Sequence, residues 1–212
     1  MKLIGMLDSP YVRRVAISLQ YLGLAFEHEA ISVFRGIDRF RTVNPVVKAP
    51  TLVCDDGETL MDSTLILEYG EALAAPRTLM PSALAARQRA LHLIGLALAG
   101  CEKSVQVVYE RELRPPERRH APWVERVTGQ AKAAFAALEA ELAARPRSAA
   151  PGVPIDQAGI TIAVAWHFNR QLAAETFDEA AHPHLAAFSR EAETRAEFAA
   201  APHGDGVYRA AR

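Results

Sequence analysis

The chain has 212 residues, half of them apolar by type, a formal charge of −1 at neutral pH and two cysteines. That length buries one or two cores without disulfide staples, and interspersed charges give no broad positive field, so nucleic acid is not the default partner. Cys54 and Cys101 stand in apolar stretches without Cys-x-x-Cys spacing, which points to reduced core thiols rather than a disulfide framework or a zinc site. Asp8, Arg13 and Arg14 come too early for a secretory signal, and the apolar stretch Leu91 to Cys101 is too short to span a bilayer. A cytoplasmic protein with no membrane partner is expected.

The apolar run Leu3 to Leu7 reads as a strand that passes through Asp8-Ser9-Pro10 into a helix with Val12, Val15, Ala16, Leu19 and Leu22 on one face. Pro10 suits a first turn, where no intrahelical partner awaits its missing N–H, and Gly23 is a natural stop. Ser9 then lies at the positive end of a helix dipole, where free amides favour an anion or an ionised sulfur. Alternation over Ala25 to Ser32 predicts a second strand, and residues 33–47 a loop with a short helix near Ile37 to Thr42. Thr51 to Cys54 and Thr59 to Met61 flank the turn Asp55-Asp56-Gly57-Glu58 and predict a hairpin. Asp62-Ser63 would cap a helix whose stripe is Leu65, Ile66, Tyr69 and Leu73. The order βαβ then ββα makes residues 1–75 an α+β domain.

Residues 76–82, bounded by Pro76 and Pro81, read as a linker, and residues 83–212 as an all-α domain. Its first helix carries a stripe of Leu84, Arg87, Leu91, Ile94, Leu98, Cys101, Val105 and Val108 up to Pro115-Pro116. The second carries Trp123, Val127, Ala131, Phe135, Leu138 and Leu142. After a loop over 145–154, Asp156 can cap a helix that is apolar nearly all round from Ile160 to Phe168, as a buried central helix must be. His182 and His184 have no acidic or thiol companion nearby, so no metal site is expected. Arg111, Arg114, Arg118, Arg119 and His120 read either as a solvated helix end or as a site for an anionic substrate or partner.

Lys48-Ala49-Pro50 enters the hairpin. Only about one X-Pro bond in twenty is cis in folded proteins, so the residues alone favour trans; a cis bond would leave the amide and carbonyl of Ala49 able to pair with an extended peptide. Ser9, Ala49 and Asp62-Ser63 then make three corners of one site, and a short peptide with a zwitterionic head and a thiol satisfies all three. Each feature also has a plain structural reading, as a helix cap for Ser9 and for Asp62-Ser63 and as a solvated side chain for Lys48.

Three stretches together, Ser9-Pro10-Tyr11-Val12-Arg13-Arg14-Val15, Asn44-Pro45-Val46-Val47-Lys48-Ala49-Pro50-Thr51-Leu52 and Asp62-Ser63, resemble the thioredoxin-like N-terminal domain of glutathione transferases. The resemblance implies an all-helical C-terminal domain, a homodimer, glutathione as co-substrate and a small electrophile as second substrate. It implies a hydroxyl donor to the glutathione thiol at Ser9, with Tyr11 as the alternative donor. It also implies a cis Pro50 presenting the backbone of Ala49, a grip on the γ-glutamyl group by Asp62 and Ser63, and a contact from Lys48 to the glycine carboxylate. The second-substrate pocket falls on Gln106, Tyr109, Glu110 and Arg111. Departures are Ala49 for the commoner valine, Asp62 for glutamate or glutamine, Gly159 where the central helix usually carries an acidic residue, and Ala196 for a frequent proline. Position 9 is not cysteine, which disfavours the disulfide exchange of the similar glutaredoxins and omega-like transferases.

A free thiol has a pKa near about 8.5, so little is thiolate at neutral pH; a donor at Ser9 and the helix amides would raise that fraction for attack on an electrophilic carbon. The same start also resembles stringent starvation protein, a transferase-like factor that binds RNA polymerase. A glutathione-dependent isomerase or dehalogenase would share every residue of the thiol site.

Overall fold

The computed structural model describes residues 1–174 and 176–209, apart from the side chain of Ala173. The chain forms two compact units, Met1–Met80 with the segment from Thr194 onward, and Pro81–Glu193. The division between the two units falls at 80/81. The expected placement of everything after residue 83 in the helical domain does not hold, because the chain returns to the first unit from Thr194.

In the first unit β1 (Lys2–Ile4), α1 (Pro10–Tyr21), β2 (Glu27–Glu29), α2 (Ile37–Val43), β3 (Thr51–Val53), β4 (Thr59–Met61) and α3 (Ser63–Ala74) follow the expected order. The sheet runs β2-β1-β3-β4, with β1 parallel to β2 and antiparallel to β3, and β3 antiparallel to β4. A parallel pair needs a crossover, and α1 supplies it. Leu3, Ile4, Val12, Val15, Leu19, Leu52 and Ile66 are buried between sheet and helices. The stripe on α3 is displaced from the expected one: Ser63, Ile66, Leu67 and Gly70 face inward, whereas Leu65, Tyr69 and Leu73 are exposed. The reason is close packing. A Cβ on Gly70 would come within 3.3 Å of Leu19 Cδ2, so the glycine face is the one that approaches α1.

The returning segment, which includes α8 (Ala196–Ala200), is tied down by long-range bonds. The buried Arg13 donates from Nε to the carbonyl of Ala201 at 2.8 Å, and its guanidinium lies 5.7 Å from the centre of the Phe198 ring. Gln20 Nε2 donates to the Glu197 carbonyl at 2.9 Å, and Tyr21 donates its hydroxyl to Glu197 Oε2 at 2.8 Å. Arg35 pairs with Asp205 at 3.0 Å.

The second unit contains α4 (Leu84–Val108), α5 (Ala121–Ala144), α6 (Gln157–Ala173) and α7 (Pro183–Glu193). Val127, Ala131, Phe135, Leu138 and Leu142 of α5 are buried as expected, but Trp123 in its first turn is exposed. Phe135 packs edge-on against Trp166 of α6 and Phe177, with centroids 5.7 and 5.2 Å apart. On α4 the buried stripe is Ala90, Leu93, Ile94, Ala97, Cys101 and Ser104, while Leu84 and Leu91, expected inside, are exposed. The helix continues past Val108 through a π-helical turn, Tyr109–Leu113. Helix and turn together are long and apolar enough to cross a membrane by length and composition alone, yet the stripe just named is packed inside the unit.

Asp156 caps α6 by accepting from the Gly159 amide at 2.8 Å, and it also accepts from Arg147 Nη2 at 2.6 Å. The absence of an acidic residue at 159 has a packing cause. A Cβ there would lie 2.8 Å from Ile155 Cγ1 and 3.3 Å from the Phe188 ring.

Candidate glutathione site

The turn between β1 and α1 is built on Gly5. Its φ of +138° is a conformation that side chains of L-residues rarely adopt, and a Cβ on it would sit 2.6 Å from Val12 Cγ2 and 3.0 Å from Ala49 Cβ. The first turn of α1 and the loop before β3 therefore meet at a residue with no side chain. Ser9 is the N-cap of α1: its backbone is extended, and its Oγ accepts from the Val12 amide at 3.4 Å. Accepting uses a lone pair and leaves the hydroxyl proton to donate, so capping and donation to a sulfur are compatible. Tyr11 is half-buried in the same turn.

The loop from Asn44 to Thr51 is braced by two side chains. Asn44 accepts from the Val46 amide at 2.9 Å and donates to Thr51 Oγ1 at 2.9 Å, and Thr51 donates to the Lys48 carbonyl at 2.7 Å. Val47 is held at φ +53°. The Ala49-Pro50 peptide bond is cis. Among the described residues neither the amide nor the carbonyl of Ala49 takes part in a hydrogen bond, so both can receive an extended peptide.

Asp62 joins β4 to α3 at φ +74°, a backbone strain of the kind that gathers at binding sites. Its Oδ1 accepts from the Thr64 amide at 2.9 Å, and its Oδ2 lies 3.7 Å from Lys48 Nζ across the site. Both charges are about half exposed, which leaves that pair worth well under about 1 kcal/mol and leaves both groups open to a zwitterion. The buried Ser63 accepts at Oγ from Arg14 Nη1 at 3.1 Å, and the same nitrogen donates to Thr64 Oγ1 at 3.3 Å. Arg14 thus fastens the first turn of α3 to α1. The signal for Arg14 in the sequence is an arginine within the buried run of a helix.

Ser9, Lys48, Ala49, Pro50, Asp62 and Ser63 accordingly belong to one connected arrangement: Gly5 links the Ser9 turn to Ala49, Lys48 reaches Asp62, and Arg14 reaches Ser63. Neither cysteine joins it. Burial pushes the Cys54 thiol up, and Cys101 is buried in the other unit. Among the described residues no three His, Cys, Asp or Glu side chains gather to hold a metal ion.

The second unit holds a cavity of about 220 Å³, lined by Val107, Val108, Arg111, Ala131, Leu172 and Phe177 together with polar groups. Of the four residues expected there, only Arg111 lines it. Gln106 donates to Glu102 at 2.9 Å along α4, Tyr109 is exposed, and the buried Glu110 pairs with Arg114 at 2.7 Å. The π-helical turn changes the spacing of side chains from Tyr109 onward, a change that apolar periodicity does not announce.

A family model described as the N-terminal domain of glutathione S-transferase matches residues 3–78. A glutathione transferase family member from Pseudomonas fluorescens Pf-5, solved with bound S-(propanoic acid)-glutathione, is 31% identical over 95% of this chain and 98% of its own, with a TM-score of 0.77. The chain belongs to the glutathione transferase family. A glutathione S-transferase from Methylobacterium radiotolerans, solved in complex with glutathione sulfonate, is 27% identical over 93% of this chain and 92% of its own, with a TM-score of 0.85. A curated relative, the uncharacterised GST-like protein YibF of Escherichia coli (strain K12), is 35% identical over 81 residues, which is 38% of this chain and 40% of that protein. The mixed sheet with its helices is the thioredoxin-like domain of a glutathione transferase, and α4 to α7 belong to its helical domain.

Proposed function

We propose that this member of the glutathione transferase family binds glutathione and activates its thiol as a thiolate, with Ser9 as hydrogen-bond donor, for attack on a small electrophile. The observation that carries this reading is Ser9 at the start of α1, joined through Gly5 to an Ala49 whose backbone groups are free among the described residues. Glutathione-type ligands bound in relatives of 27 and 31% identity support the ligand. Its cysteinyl unit would pair with the Ala49 backbone. Its γ-glutamyl ammonium would meet Asp62, its γ-glutamyl carboxylate would meet Ser63, and its glycine carboxylate would meet Lys48. Ultraviolet difference titration of bound glutathione tests it: thiolate absorbance is expected to rise well below the free thiol value of about 8.5, and an unshifted titration overturns the reading.

The electrophile's site is assigned to the helical domain, and its class to apolar molecules carrying an acidic group. Support comes from the cavity wall of Val107, Val108, Leu172 and Phe177, with Arg111 as its lining cation beside the anionic Glu112. Arg111→Ala is expected to raise KM for an anionic electrophile about tenfold, as loss of one charged hydrogen bond does, and to leave KM for a neutral analogue unchanged. An equal effect on both substrates rejects the assignment.

A homodimer is part of the same reading. Its support is a set of exposed apolar side chains on each unit, Leu65, Tyr69 and Leu73 on α3 of the first and Leu84 and Leu91 on α4 of the second. Leu65→Glu or Leu91→Glu is expected to give a monomer in sedimentation velocity at micromolar concentration, where the wild type sediments as a dimer. The buried free thiols Cys54 and Cys101 agree with a reducing, cytoplasmic setting.

A further inference from the structure

In the segment after α8, Tyr208 packs beside β2, the edge strand of the sheet. The Tyr208 ring lies flat on Phe26, with centroids 4.4 Å apart and planes 16° from parallel. Its backbone N–H donates to His28 Nδ1 at 3.0 Å, and His28 Nε2 lies 2.7 Å from the Gly5 carbonyl. A single tautomer satisfies both bonds: the neutral ring with its proton on Nε2, accepting from Tyr208 and donating to Gly5. Gly5 is the residue against which Val12 and Ala49 close. One imidazole therefore connects the returning segment to the point where the Ser9 turn meets the Ala49 loop. The same segment carries Asp205, paired with Arg35, and places His203 and Asp205 close enough to act electrostatically on Asp8, the residue before Ser9.

We propose that residues 202–209 form a strap that holds the turn from Gly5 to Ser9 through His28, which makes His28 a positioning residue of the thiol site. The proposal rests on the reading of Ser9 as donor to the glutathione sulfur. His28 touches no reacting atom; it fixes the carbonyl on which the turn pivots, and the Phe26–Tyr208 stack fixes His28.

The strap is sensitive to pH in one direction. A protonated His28 has no lone pair for the Tyr208 amide, and burial already holds its pKa below the ordinary value, against the opposing pull of the Gly5 carbonyl. The unfolded chain binds this proton more readily than the folded one. The contribution is therefore complete above about pH 6.5 and is lost as pH falls through the lower folded value. Burial and the Gly5 carbonyl are what act on the His28 ring; the charged side chains nearest in the chain and sheet, Lys2, Glu27, Glu29 and Arg39, pair among themselves, and Asp8, His203, Asp205 and Arg35 lie on the turn side. Burial pushes the Asp8 carboxyl up, so Asp8 acts in the opposite sense, favouring the fold at low pH; the His28 part is read as a difference between variants.

Three single variants and one double variant of the full-length chain test the strap. His28→Leu removes both bonds, Tyr208→Ala removes the stack, and His28→Gln keeps a donor for Gly5 and an acceptor for Tyr208 without titrating. His28→Leu and Tyr208→Ala are each expected to raise the glutathione Kd about five- to tenfold at pH 7.5, and the double variant no further, since both cut one connection. Amide exchange at residues 5–9 should speed up in both. His28→Gln should keep the wild-type Kd at pH 7.5 and flatten its loss below pH 6.5. Additive effects, unchanged exchange at residues 5–9, or a Gln variant that behaves like Leu overturn the proposal. If the wild type binds no glutathione the thiol reading fails, and exchange at residues 5–9 still decides the strap.

Discussion

Ser9→Ala is expected to lower kcat/KM at neutral pH by about ten- to a hundredfold, because each unit of thiol pKa lost corresponds to about 1.4 kcal/mol of thiolate stabilisation. The bound thiol should titrate about one to two units higher, while glutathione itself is retained through Ala49, Asp62 and Ser63. The hydroxyl also caps α1 by accepting from the Val12 amide, so the variant loses about 1 kcal/mol of stability in addition. The two losses separate by measurement. Ser9→Thr keeps a hydroxyl in both roles and should recover most of the activity, and Ser9→Asp keeps a cap acceptor but sets a carboxylate against the thiolate, so it should be stable and inactive. Tyr11→Phe decides the rival donor. If it alone raises the thiol pKa while Ser9→Ala costs only stability, Tyr11 is the donor and Ser9 is a cap.

How much of this site could be read from the residues follows from chain distance. Ser9, Lys48, Ala49, Asp62 and Ser63 lie in short local motifs at a strand exit, a strand entry and a helix start, and local chemistry dictates those: a cap, a proline, an Asp-Ser pair. The order of strands and helices was legible for the same reason. The stripes on α3 and α4 were legible only in part, at Ile66, Ile94 and Cys101. Both helices are apolar on most positions, so several faces qualify, and the face that packs is chosen by small residues that let helices approach, Gly70 on α3 and Ala90 and Ala97 on α4. The large side chains Leu65, Leu73, Leu84 and Leu91 stand on the exposed side. The return of the chain to the first unit was invisible for another reason. Arg13 meets Ala201 at a separation of 188 residues, and His28 meets Tyr208 at 180, by bonds to backbone that carry no residue-specific signature. The buried arginines 13 and 14 were the nearest thing to a clue, since a guanidinium taken out of water must find acceptors.

Gly5→Ala is expected to be the most damaging single-methyl change in the first unit. A Cβ would stand 2.6 Å from Val12 Cγ2 and 3.0 Å from Ala49 Cβ, and φ at +138° is strained for alanine whatever the space. Strain and displacement together are expected to cost about 2–4 kcal/mol, which lowers Tm by about 5–12 °C in a chain of this size. Gly57 provides the control. It too has a positive φ, +90°, but nothing lies within 4 Å of a Cβ there, so Gly57→Ala pays for backbone conformation alone, about 1 kcal/mol. The difference between the two variants isolates the crowding at Gly5. Relief of that crowding must move either the first turn of α1 or the Ala49 loop, and each carries part of the glutathione site. Gly5→Ala should therefore raise the glutathione Kd about tenfold or more at temperatures where the protein is still folded, whereas Gly57→Ala should leave it unchanged. Equal Kd values for the two variants would mean that the Ser9 turn and the Ala49 backbone do not hold the same ligand, and the thiol site as built here would have to be divided.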